Sequence, residues 1–144
     1  MTIKLNNVED WIEDPSAYSI LQTPYAIHAF PNSLLDELYY LNEHLNITYF
    51  GTELGELKKD IFIPAHALAL SGIIKKDFPF IKVDKENTIR FLRKASTLTP
   101  LQIEEGNPML GWHVVKYGNL NIGWVKVLRD RVNNYLPNNW RILH

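Results

Sequence analysis

The chain of 144 residues has no cysteine. That absence removes disulfides, thiolate–zinc sites and thiol nucleophiles together. Long apolar runs are missing too. No stretch approaches the roughly 18–20 residues needed to cross a bilayer, so no membrane association is expected. The opening Met1-Thr2-Ile3-Lys4-Leu5-Asn6-Asn7 carries no apolar run before a cleavage site, which predicts no secretory signal and a cytoplasmic protein. Repeats, low-complexity tracts and Pro/Gly/Ser linkers are absent. His28, His44, His66, His113 and His144 are scattered without an HExxH pattern, and no Ser sits in a G-x-S-x-G elbow. Gly51-x-x-x-Gly55 runs into a strand-like segment rather than a helix, so it does not read as a nucleotide-binding turn. The sequence therefore assigns no catalytic residue, no metal site and no cofactor to this chain.

What is present is a core and an uneven charge. Hydrophobic residues make up 46% of the chain, enough for one globular domain. The net charge of −1 conceals a division. Residues 1–84 hold 6 Lys+Arg against 12 Asp+Glu, a formal −6, while residues 85–144 hold 9 against 4, a formal +5. A basic second part fits a polyanion-binding face; ordinary surface variation is the alternative.

The residue pattern predicts an α+β fold. An acidic extension over residues 1–24 surrounds Trp11 and ends its charge run at Pro15. A β-α-β-β opening follows over 25–63: a strand Tyr25–Phe30, a helix capped by Asn32 or Ser33 and running to His44, a strand Asn46–Phe50, a turn at Gly51–Gly55 and a strand near Glu56–Ile63. Leu34, Leu35, Leu38 and Leu41 recur at helical spacing in that helix. Residues 64–144 are read as a small barrel. Its parts are a short helix Ala65–Leu70, a helix capped by Asp84 with Ile89 and Leu92 inward, and a polar connection Leu98–Pro108. A hairpin across Gly118-Asn119 and a closing strand Trp140–Leu143 complete it.

The last thirty-odd residues combine cations, amides and aromatic rings, the mixture that suits phosphates, base edges and stacking. Lys126, Arg129, Arg131 and Arg141, with Lys116 on the preceding strand, are the candidate phosphate contacts. Arg90, Arg93 and Lys94 extend the patch from the helix, or form its solvated face. Asn133 and Asn134 are candidates for bases or 2′-hydroxyls, with a turn role as the alternative. Tyr135 either stacks on a base or packs over Pro137, and Trp112 and Trp124 are assigned to the core.

Several segments, in order, resemble the C-terminal PUA-like RNA-binding domain of RsmF-type ribosomal RNA cytosine-5 methyltransferases of the Nop/Sun group. They are Gly51-x-x-x-Gly55 with Lys58-Lys59, Phe62-x-Pro64-x-His66-Ala67-Leu68-Ala69, Phe91-Leu92-Arg93 and Gly111-Trp112-x-Val114-Val115-x-Tyr117. Ile122-Gly123-Trp124-Val125-Lys126 and Asn133-Asn134-Tyr135-x-Pro137-x-x-Trp140-Arg141 complete the set. The likeness spans roughly residues 25–142 and implies a PUA-like small mixed β-barrel with short flanking helices over 25–144. It implies a non-catalytic RNA-binding module acting on structured ribosomal RNA, in rRNA modification and ribosome biogenesis. In such enzymes a separate N-terminal domain holds S-adenosylmethionine and the catalytic cysteines. The chain then reads as a fragment of such an enzyme or a free-standing relative of its RNA-binding part. A protein-interaction domain, docking a methyltransferase catalytic domain or a ribosomal protein, is the second expectation.

Overall fold

The computed structural model describes residues 8–95 and 109–144. The chain divides into two compact units, Met1–Lys76 and Asp77–His144.

The first unit is an antiparallel four-stranded sheet in the order β1-β2-β3-β4. Its strands are β1 (Tyr18–Gln22), β2 (Ile27–Pro31), β3 (Thr52–Lys58) and β4 (Ile61–Pro64). Helix α1 (Leu35–His44) lies between β2 and β3 in the chain, and α2 (His66–Leu70) follows β4. Thr23 closes the β1–β2 turn, its hydroxyl accepting from the Ala26 N–H at 3.0 Å. Ile12, Ile27, Leu54 and Leu68 are fully buried, and Ile12 bridges Ile74.

The expected order β-α-β-β is present over residues 27–64, but its strands are displaced and β1 precedes it. Asn46–Phe50 forms no strand. Tyr49 and Phe50 instead lie against the buried His28 ring, with centroids 5.9 and 4.6 Å away. The expected strand over 56–63 is broken by a two-residue turn at Lys59-Asp60, both with positive φ. This left-handed pair has the conformation that hairpins normally obtain from Asn-Gly, and Asp60 alone is too weak a signal to mark it. Gly55 lies inside β3 rather than in a turn, at a register shift of the β2–β3 pairing. Neither Asn32 nor Ser33 caps α1; the Asn32 side chain accepts from the Ser19 hydroxyl at 2.6 Å.

The second unit holds β5 (Phe80–Lys82), α3 (Lys85–Leu92), β6 (Gly111–Tyr117), β7 (Leu120–Val127) and β8 (Val132–Asn134). The sheet order is β5-β6-β7-β8, with β5 parallel to β6 and the remaining pairs antiparallel. Asp84 caps α3 as expected, its carboxylate accepting from the Asn87 N–H at 2.8 Å. The hairpin across Gly118-Asn119 is also present. At its register shift Ile122 is the extra residue of β7, and it packs into the core.

One face of this sheet packs with α3. Ile81, Val115, Val125, Val127 and Val132 join Phe91 and Leu136 in one buried cluster. Phe91, not Ile89, is the fully buried apolar residue of α3, while Leu92 is partly buried against the cluster.

Neither sheet closes into a barrel among the described residues; β5 and β8, three residues each, stand at the edges of the second. The expected closing strand is absent. Asn138–Trp140 is a 3-10 turn, and the Ile142 N–H donates to the Leu92 carbonyl at the end of α3 instead of to a strand edge. The connection expected over Leu98–Pro108 lies outside the described residues. Among the described residues, no helix is long and apolar enough to cross a membrane.

Candidate nucleic-acid interface

Successive strand residues point to opposite sheet faces, so the pairing register fixes which side chains share a surface. Trp112 on β6 pairs with Lys126 on β7, and Lys126 pairs with Asn133 on β8. These three therefore form a cross-strand row on the face turned away from the α3 cluster. Lys126 Nζ lies 5.3 Å from the Trp112 ring centroid. Arg131 joins the row through its Nε, which donates to Asn133 Oδ1 at 3.2 Å. The Tyr135 ring meets Trp112 edge-on at 4.4 Å, and its backbone N–H donates to the Trp124 carbonyl at 3.0 Å.

A second cationic pair lies on the same face. Lys82 on β5 is register partner to Lys116 on β6, and their Nζ atoms lie 6.0 and 4.8 Å from the Phe80 ring centroid. Like charges directly opposite one another repel, and the negative face of the ring offsets part of that cost. Between the two cationic groups, Val114 and Trp124 are buried, with Phe78 and Trp112 each edge-on to Trp124.

Lys116, Lys126, Arg131, Asn133 and Tyr135 are thus brought to one side of the sheet. Arg129 is exposed in the β7–β8 connection, which is closed by the Leu128 N–H donating to the Arg131 carbonyl at 2.8 Å. The ion pair of Arg131 with Asp130, 3.8 Å long and exposed, holds Arg131 only weakly.

The remaining candidates are placed elsewhere. Arg90, Arg93 and Lys94 belong to α3 and its C-terminal end, and α3 packs on the opposite face. There Lys94 Nζ donates to Asn138 Oδ1 at 2.7 Å, next to the exposed Arg141. Asn134 directs its side chain into the fold. Its amide nitrogen donates to the Phe91 carbonyl at 2.9 Å, and its Oδ1 accepts from the Leu136 N–H at 2.8 Å. Asn133 and Asn134, for which a turn role was the alternative, lie instead in strand β8 and on its opposite faces.

One assignment changes. Trp124 is core at 1% exposure, but Trp112 is half-buried on the cationic row. The sequence reading also omitted Phe80 and Lys82. Their alternation around the buried Ile81 is the signal that marks them as sharing the other face. Among the described residues, no three His, Cys, Asp or Glu side chains come together in a way that could hold a metal ion.

No curated protein matches the chain. The family comparison covers the stretch that builds the sheet and the row just described. Residues 78–142 match the methyltransferase RsmF PUA domain, and it is to this domain that the second unit is similar.

Proposed function

We propose that this chain is a non-catalytic RNA-binding module that grips structured RNA through the β6–β8 face, with ribosomal RNA as its target. The observation that carries the reading is the Trp112–Lys126–Asn133–Arg131 row, which lies within the PUA-matching residues. Lys126 and Arg131 supply cations for phosphates, Asn133 an amide for a base edge or a 2′-hydroxyl, and Trp112 a ring for stacking.

Magnitudes decide whether Trp112 is available. A Lys over an aromatic ring gains about 0.5–1 kcal/mol at an exposed site and about 2 kcal/mol when desolvated, and the half-buried Trp112 lies between these cases. A base stacked on the same ring gains about 1–3 kcal/mol. A stacked base competes with Lys126 for the ring, and an ammonium displaced from it is free to pair with phosphate. Lys82 and Lys116 extend the contact along the same face, with Arg129 at its rim. Arg90, Arg93, Lys94 and Arg141 form a separate cationic group that reaches RNA only where the strand wraps around the α3 side.

The reading gives the chain no reaction of its own. Cytosine C5 methylation needs a thiolate to attack the ring, and the sequence has no cysteine. S-adenosylmethionine and that thiolate would belong to a methyltransferase catalytic domain, in the same polypeptide or a separate one. Nitrocellulose filter binding to a structured rRNA fragment tests the proposal. Trp112→Ala is expected to weaken binding by about 1–3 kcal/mol. Lys126→Glu combined with Arg131→Glu is expected to weaken it further, with the fold retained by circular dichroism. Unchanged affinity in both variants would refute the assignment of this face.

A further inference from the structure

Helix α1 of the first unit leaves most of its apolar stripe bare. Leu38 and Leu41 lie on α1 with Leu34 and Leu45 flanking its two ends, yet only Leu38 is buried, while Leu34, Leu41 and Leu45 are 49%, 44% and 59% exposed. Beside it stand Phe30 of β2 and the non-strand residues Ile47, Tyr49 and Phe50, leaving a groove of about 420 Å³. Glu37 belongs to the groove's wall. A neighbouring depression of about 400 Å³ shares Glu37 and Leu41 and adds Asp36 and Tyr40. The charged side chains lining the groove and this depression, Asp36 and Glu37, are both acidic, and residues 5–57 of the sequence contain nine Asp and Glu and not one Lys or Arg.

From this combination we infer that the α1 groove docks a cationic amphipathic segment of a partner protein. Its apolar side chains enter between α1 and residues 47–50, and its Lys or Arg residues meet Asp36 and Glu37 at the rim. An apolar trough accepts a helix through anchors spaced like those of α1 itself. An exposed apolar patch with a charged rim marks an interaction surface rather than ordinary solvent exposure. Charge selects among possible occupants. The carboxylates repel RNA and anionic lipid, and a second α1 would bring Asp36, Glu37 and Glu43 against their own copies. A basic peptide is attracted by the same groups. The inference goes beyond the RNA reading, using a different unit and the opposite charge.

The test uses the full chain and a fluorescein-labelled synthetic peptide of Leu and Lys in helical amphipathic order, followed by fluorescence anisotropy. A matched peptide with every Lys replaced by Glu is the control. Saturable binding of the Leu/Lys peptide alone is expected. Leu41→Ser and Glu37→Lys should each weaken it by about tenfold or more, the loss typical of an interface anchor. Both side chains are exposed, so circular dichroism should be unchanged. No saturable binding, equal binding of the two peptides, or indifference to both substitutions overturns the inference. So does a chain dimer seen by sedimentation that Leu41→Ser disperses, or co-sedimentation with phosphatidylglycerol vesicles that Leu41→Ser abolishes. The two groove variants should retain RNA binding, while Lys126→Glu/Arg131→Glu should retain peptide binding, so either reading can fail without the other.

Discussion

Asn133 and Asn134 are adjacent and chemically identical, yet β8 gives them opposite tasks. Asn134 ties β8 to the end of α3 and fixes the following backbone, whereas Asn133 accepts from Arg131 on the other face. Asn134→Ala strands the partly buried Leu136 N–H, while the Phe91 carbonyl keeps the Lys94 N–H as a donor, and the loss costs about 1–3 kcal/mol. Urea unfolding should show that loss, and Asn133→Ala should unfold close to wild type while binding RNA less well. Equal stabilities would contradict the division. His66 makes a second residue-level prediction. Burial lowers its pKa below the ordinary 6.5, so the folded chain resists a proton that the unfolded chain accepts. Stability is therefore unaffected by this group above pH 6.5 and falls as pH drops below it, down to the lowered folded value. Melting temperatures across that window should decline less steeply in His66→Gln, and parallel profiles would show that another group is responsible.

At the scale of elements, backbone conformation separates what the sequence reveals from what it hides. The β6–β7 hairpin and the Asp84 cap are legible because Gly118-Asn119 and Asp84 are residue types that favour those conformations. The Lys59-Asp60 turn is hardly legible, since Asp tolerates positive φ but Lys does not favour it and no glycine is present. Asn46–Phe50 has the β-branched and aromatic content of a strand, but strand propensity depends on the available neighbours. Its rings pack on His28 and line the groove instead. Of the candidate site, the cations were legible as residue types. Their division between two faces was not, because it depends on the register of β5 to β8. Gly55 shows how strongly one position can fix an element. It lies at φ +156° in β3, where a Cβ would run into the Ile63 carbonyl oxygen and the Phe62 ring. Gly55→Ala should destabilise the first unit by about 1–3 kcal/mol from backbone strain alone, with the steric clash in addition. Asp84→Ala should cost the second unit about 1 kcal/mol, the usual value of a helix cap. Denaturant titration of the two variants checks both figures, and a neutral Gly55→Ala would contradict the close approach.

For the whole molecule the organising fact is charge partition. Met1–Lys76 holds 5 Lys+Arg against 10 Asp+Glu, and Asp77–His144 holds 10 against 6. A near-neutral chain thus presents an acidic unit with an apolar groove and a basic unit with a cationic aromatic face. The first suits a basic peptide and the second a polyanion. The measurement that tests the central claim most directly is the salt dependence of binding to a structured rRNA fragment. If about three phosphates are neutralised, affinity should fall about 10- to 100-fold between about 50 and 200 mM monovalent salt. The double variant Lys126→Glu/Arg131→Glu should flatten that slope. Salt-independent binding, a slope unchanged in the variant, or no binding at all would contradict the account.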